Sequence, residues 1–127
     1  MEKPENQISD FVIQNSISIH KELGPGLYES VYERILFNEL QSSGFKIERQ
    51  KKIPIRFQSV EFEVAFKADL IIEDKVIVEI KSVESVLPVH KMQLKTYLKL
   101  TGLKLGLLIN FNVDLLKNGI TRVANGL

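Results

Sequence analysis

The chain has 127 residues, 44% hydrophobic and 26% charged, which is enough for one domain with a real core and too few for two. Its 17 basic and 16 acidic residues leave a net charge of +1, so any phosphate binding must come from local clustering rather than a whole-surface field. The absence of cysteine excludes disulfides, thiolate zinc sites and cysteine nucleophiles.

The first residues, MEKPENQISDF, are acidic and polar and do not resemble a signal peptide. No apolar run approaches the ~20 residues needed to span a bilayer. A cytoplasmic protein without a membrane partner is expected. Residues 1 to 5 are expected to be loose. From Asn6 onward, Ile8, Phe11, Val12, Ile13, Ile17, Ile19 and Leu23 roughly follow a helical period. Gly24 and Pro25 stop that helix, and Gly26 completes a tight turn. A second helix is predicted from near Tyr28, with Val31, Ile35, Leu36 and Leu40 on its apolar side and Gly44 at its end.

The period then changes. Phe45, Ile47, Ile53, Ile55 and Phe57 alternate with mostly charged residues, as in a strand with one wet face, interrupted near Pro54. Gln58-Ser59 is a turn, and Phe62, Val64 and Phe66 resume the alternation into Leu70, Ile71 and Ile72. Glu73-Asp74-Lys75 reverses the chain, and residues 76 to 80 return it. A helix is predicted over Val89 to Thr101, ended by Gly102. Leu105 to Phe111, LGLLINF, has the unbroken apolar character of a strand covered on both faces. A short helical turn over Leu115 to Asn118 and a last strand over Ile120 to Ala124 complete the order αα-βββ-α-β-(β). This is an α/β (α+β) layer structure in one domain, residues 1–127.

The central hairpin carries the chemistry. If residues 73 to 75 form a three-residue loop, facing residues have numbers summing to 148, so Asp69 lies opposite Glu79 on one face with Lys81. The other face then holds Leu70, Ile72, Val76, Val78 and Ile80, all suited to a core. Facing carboxylates about 5 Å apart repel unless one is protonated or a cation lies between them. A hard divalent ion such as Mg²⁺ meets that need. Lys81 beside such a pair could orient or deprotonate water and stabilise charge developing on a phosphate. A simple ion-pair cluster of Asp69, Glu79 and Lys81 explains the same residues, and on spacing alone it stands ahead.

The spacing of Asp69, nine residues, then Glu79-Ile80-Lys81 resembles the PD-(D/E)XK nuclease superfamily. Gly26-Leu27-Tyr28-Glu29-Ser30-Val31-Tyr32 resembles the signature of its GxxExxY branch. The likeness runs from HKELGPGLYESVYE through KADLIIEDKVIVEIKSVE to PVHKMQLKTYLKLTG, GLLINFNV and LLKNGI. It implies a restriction-endonuclease-like core in which a mixed sheet with an antiparallel meander is flanked by helices. It also implies Asp69, Glu79 and Glu29 as ligands of Mg²⁺ or Mn²⁺, with Lys81 as the catalytic lysine. Gln93 and Tyr97 resemble a Q-x-x-x-Y motif, with Gln93 assisting catalysis and Tyr97 binding substrate. Ala68 stands where the superfamily name has proline. Lys67 stands at a substrate position where relatives often have arginine, whose bidentate phosphate contact a lysine does not reproduce.

Other features have plainer readings. Lys91, Lys95 and Lys99 form a stripe that could track a phosphate backbone, with a solvated helix face the reading that stands ahead, and His20 and His90 are structural or capping groups. Tyr32 is expected between helix and sheet, its hydroxyl supporting Glu29. The resulting expectation is a metal-dependent nuclease acting on nucleic acid, DNA ahead of RNA, with a homodimer compatible with so small a core. The alternative is a non-catalytic adaptor that keeps the nuclease-like fold and binds nucleic acid or protein.

Overall fold

A computed structural model describes residues 3–127. Two helices come first, α1 (Glu5–Leu23) and α2 (Glu29–Ser42). The strands β1 (Ile47–Phe57), β2 (Val60–Ile72) and β3 (Val76–Lys81) follow as a meander. Then come α3 (Pro88–Thr101), β4 (Leu105–Asn110), a 3₁₀ turn (Leu116–Gly119) and β5 (Ile120–Ala124). The five strands form one sheet in the order β1-β2-β3-β4-β5, antiparallel throughout except for the β3–β4 pair. The parallel step is possible because α3 carries the chain from one end of the sheet back to the other.

The helices bury narrow stripes. On α1 the buried residues are Ile8, Ser9, Val12, Ser16, Ile19 and His20, while Phe11 and Leu23 stay exposed. On α2 they are Tyr32, Glu33, Leu36 and Leu40. Both helices cover the sheet face formed by Leu70, Ile72, Val76, Val78, Ile80, Leu105, Leu107 and Ile109. The opposite face, with Ile53, Ala68, Ile71, Ile77 and Leu108, packs against Leu94 and Leu98 of α3. Gly106 lets α3 approach, since a Cβ there would lie 2.9 Å from the Leu94 side chain. The core strands β3 and β4 are covered on both sides, as LGLLINF requires. No helix among the described residues is long and apolar enough to cross a membrane.

Some local expectations change. Residues 1–2 lie outside the described residues, but Lys3 is held, its ammonium 4.1 Å from the Phe45 ring centroid and its carbonyl accepting from Lys75 Nζ. The interruption near Pro54 is a register shift in the β1–β2 ladder between Ile53 and Ile55. Beyond it the two strands continue as an arm whose tip exposes Phe57, Val60 and Phe62.

Candidate active site

The loop over residues 73 to 75 sets the β2–β3 register. Ile72 faces Val76, Ile71 faces Ile77 and Leu70 faces Val78, so paired numbers sum to 148. The next pair is Asp69 and Glu79, and there the ladder changes character. The amide of Asp69 donates to Glu79 Oε2 at 2.7 Å, and the amide of Ile80 donates to Asp69 Oδ2 at 2.8 Å. Each carboxylate therefore takes a backbone N–H from the opposite strand where a backbone carbonyl would ordinarily accept it.

The strand alternation breaks at the same level. Ala68 belongs to the core under α3, whereas Leu70, two residues on, belongs to the core under α1 and α2. On β1, Lys51 pairs with Ala68 and Arg49 with Leu70, so the change of face falls at Gln50. Gln50 has φ 52°, a left-handed conformation that few non-glycine residues adopt. Asp69 and Gln50 thus occupy one irregular step. Asp69 does not simply share a regular face with Glu79, as strict alternation predicts; its carboxyl lies against the neighbouring strand.

Gln50 uses the step to join two acids. Its Nε2 donates to Glu33 Oε1 at 2.5 Å and to Asp69 Oδ1 at 3.1 Å. Arg49 Nη1 donates to Glu33 Oε2 at 3.3 Å. Glu33, one turn beyond Glu29 on α2, is buried, and burial raises its proton affinity against the opposing pull of Gln50 and Arg49. Neither Glu33 nor Gln50 is among the residues picked out from the sequence. The i,i+4 spacing of Glu29 and Glu33 is the one signal that points to Glu33, and no local signal marks Gln50.

The start of α2 is tied directly to the end of β3. Ser82 N donates to Glu29 Oε2 at 3.0 Å, and Ser82 Oγ donates to the Leu27 carbonyl at 2.7 Å. Tyr32 stacks on Phe111 with ring centroids 4.3 Å apart. Its hydroxyl donates to Gly24 O at 2.6 Å and accepts from Leu27 N at 3.1 Å. It therefore supports the Gly24–Gly26 turn rather than Glu29 itself, and Glu29 is aimed through that turn. Buried Asn110 orders the next segment, with Nδ2 donating to Val83 O at 2.9 Å and Oδ1 accepting from Val83 N at 3.1 Å. His20 Nε2 contacts the Phe111 and Val113 carbonyls, and His90 Nδ1 accepts from Leu87 N, so both histidines are structural.

Between these elements lies a cleft of about 710 Å³ whose walls include Tyr28, Glu29, Glu33, Gln50, Asp69 and Ser82. Glu79 is not part of the cleft wall and is only 7% exposed. Burial, then the nearby Asp69 charge, push the Glu79 carboxyl up to about 8, while Lys81 opposes them. Asp69 is also raised, chiefly by burial, against the Ile80 amide, Gln50 and Lys81; the charge of Glu29 adds to the rise. Lys81, half-buried, is thus the cation that acts on both carboxyls. Tyr97 stacks on Phe66 at 3.7 Å, and its hydroxyl is raised by burial and by the charges of Glu79 and Asp69. Gln93, one turn earlier on α3, is exposed and forms no hydrogen bond among the described residues. Lys67 is exposed two residues before Asp69. Lys95, the middle residue of the α3 stripe, donates to the Ala124 carbonyl.

The donor chemistry suits a hard divalent ion. Asp69 and Glu79 are carboxylates held at high proton affinity, and Glu79 Oε1 has no hydrogen-bond partner among the described residues. No group of three or more His, Cys, Asp or Glu side chains that could hold a metal ion occurs among the described residues. Mg²⁺, which keeps several waters, is often held by only one or two carboxylates.

No curated protein matches the chain. The crystal structure of SSO0001 is similar in fold, with a TM-score of 0.51 and 22% identity over 94% of this chain and 78% of that one. The model of the PD-(D/E)XK nuclease superfamily matches residues 6–123. That match spans α1 to β5 and takes in the exchanged Asp69–Glu79 step and Lys81, and by it the chain belongs to the PD-(D/E)XK nuclease superfamily.

Proposed function

We propose that the chain is a divalent-metal-dependent nuclease that hydrolyses phosphodiester bonds, with Mg²⁺ or Mn²⁺ as the ion and DNA ahead of RNA as substrate. The observation that carries this reading is the exchanged step, where two carboxyls of raised proton affinity feel the charge of one lysine and one of them, Asp69, lines an open cleft. A structural ion pair would be arranged to keep its carboxyls ionised. Here burial works the other way, as it does at sites meant to accept a cation or move a proton.

Asp69 and Glu79 would hold the ion, with Glu29 at the rim of the cleft. When bound, the ion supplies charge that acidifies water and neutralises phosphate oxygens. Lys81 then steadies negative charge on the scissile group and orients the attacking water. Gln93 and Tyr97, on α3, and Lys67, on β2, would contact the strand. The GxxExxY branch, a cytoplasmic setting and a homodimer belong to the same reading. The branch rests on the Gly26–Tyr32 pattern, and the dimer on the exposed arm of so small a fold.

The test is cleavage of plasmid and single-stranded DNA with Mg²⁺ or Mn²⁺. Asp69→Ala and Lys81→Ala should each lower the rate by about 10²-fold or more. Unchanged cleavage in both variants would remove the assignment. A second reading, a non-catalytic adaptor, draws on the fact that no fully buried side-chain polar atom among the described residues lacks a hydrogen bond without any ion. Calorimetric titration with Mg²⁺ separates the two, since an adaptor should show no binding that Glu79→Ala abolishes.

A further inference from the structure

Five cations lie on the β1–β2 ribbon between residues 49 and 67: Arg49, Lys51, Lys52, Arg56 and Lys67. Three of them have acid partners, Arg49 with Glu33, Lys51 with Glu48 and Arg56 with Glu61. Lys52 and Lys67 have none among the described residues, and both are exposed. They also face each other directly in the ladder. Like charges in that position repel, because facing Cβ atoms stand only about 5 Å apart. An uncompensated lysine pair is therefore a local cost in the free protein.

Their direction follows from the ladder. Ile53 pairs with Phe66 and Lys51 with Ala68, and Ile53, Ala68 and Phe66 pack in the core under α3. The pair between them, Lys52 and Lys67, points to the opposite face. That is the side of α2, from which Glu29 and Glu33 line the cleft. Lys52 and Lys67 stand two residues from Gln50 and Asp69 respectively, roughly 7 Å along the strands. We infer that Lys52 and Lys67 form a two-lysine clamp for one backbone phosphate of the nucleic-acid strand that enters the cleft at Asp69. A phosphate between them replaces repulsion by two attractions, and it sets the strand's path up the arm. The inference takes the identity of the strand from the nuclease reading and adds Lys52 and a defined subsite to it.

The test measures binding without cleavage, so that it stands apart from the nuclease reading. A fluorescent single-stranded oligonucleotide is titrated with the intact protein in EDTA at several salt concentrations, and anisotropy is followed. Lys52→Ala/Lys67→Ala should weaken binding about tenfold and reduce the slope of log K against log salt by about 1. Lys91→Ala/Lys99→Ala, with the same change of charge on α3, should leave the slope unchanged. Because the clamp is repulsive when empty, Lys67→Gln should hold or raise the melting temperature of the free protein, which separates lost binding from lost folding. Equal effects from the two double variants would overturn the clamp, as would a wild type that binds no oligonucleotide. Inorganic phosphate at matched ionic strength should displace the strand no better than chloride. Full displacement by millimolar phosphate would assign the lysines to a free anion and overturn the strand. Tight, clamp-dependent binding without cleavage in Mg²⁺ would keep the clamp and sink only the nuclease.

Discussion

The two ends of the β2–β3 hairpin lie within a few residues of each other and obey different rules. At the turn, Leu70, Ile71 and Ile72 face Val78, Ile77 and Val76 in a regular antiparallel ladder, and all six are buried. One pair further on, Asp69 and Glu79 take each other's strand amides on their carboxylates, and the side-chain alternation of β2 fails. The turn end stores stability in apolar area removed from water. The open end gives some of that up to keep two acids half-desolvated beside a cleft. Neighbouring residues should therefore respond to substitution in opposite ways.

The sharpest break of that contrast pairs Leu70→Ala with Asp69→Asn. Leu70 is fully buried, so truncation should cost about 2–5 kcal/mol in urea unfolding, while cleavage per folded molecule stays near wild type. Asp69→Asn keeps an oxygen for the Ile80 amide and removes a charge that burial already disfavours. Its Nδ2 then faces the Gln50 donor, a loss of about 1 kcal/mol that removal of the buried charge offsets, so stability at neutral pH should stay within about 1 kcal/mol of wild type while cleavage is abolished. An Asn variant as unstable as the Ala variant would show that Asp69 is a structural residue and that the two ends do not differ.

The same contrast governs what could be read from the chain alone. Period-two alternation on Leu70, Ile72, Val76, Val78 and Ile80, with three polar residues between the strands, is enough to set the register, because a one-residue slip would expose the core face. The helix limits follow from Gly24, Gly44 and Gly102, where the backbone takes positive φ. The step at Gln50 is illegible for a physical reason. A left-handed glutamine has no local sequence mark, and its conformation is sustained by bonds to Glu33 and Asp69, 17 and 19 residues away. Glu33 looks like an ordinary helix-surface acid until Arg49 and Gln50 fold over it. Strict alternation runs on through Asp69, and the bonds of Gln50 to Glu33 and Asp69 mark the step where the strands depart from it.

A smaller effect tests the electrostatics of the open end. Glu79 is raised from the ordinary glutamate range to about 8 by burial and by Asp69. A carboxyl whose proton is held more tightly when folded stabilises fully below its unfolded value, and that stability is lost as pH climbs through the folded value. Asp69 and Glu33 are raised too and act in the same sense. The metal-free protein should therefore lose stability between about pH 5 and pH 8, on the order of a few kcal/mol. Glu79→Gln should flatten most of that slope. Mg²⁺ should restore stability most strongly at the alkaline end, since binding the ion must displace the proton. Melting temperatures in EDTA that do not fall over this range would remove the buried-acid account of the open end.

The smallest effect concerns the strained residue that joins the two acids. Gln50→Gly relieves a left-handed conformation that costs roughly 1 kcal/mol for a residue with a side chain. It also removes donors to Glu33 and Asp69, each worth about as much. The two losses exceed the relief by about one such bond, so urea unfolding should fall by about 1 kcal/mol. The charge state of the site should move more clearly than its stability. Gln50 favours the ionised forms of Glu33 and Asp69, so its loss should raise both proton affinities further. The acid limb of the pH–cleavage profile should then shift toward higher pH, while Gln50→Ala, which loses the same bonds and keeps the strain, should show the same shift with lower stability. A common stability for the glycine and alanine variants would mean that the left-handed turn at Gln50 carries no strain. An unmoved acid limb in both would mean that Gln50 shapes the strand without tuning Asp69.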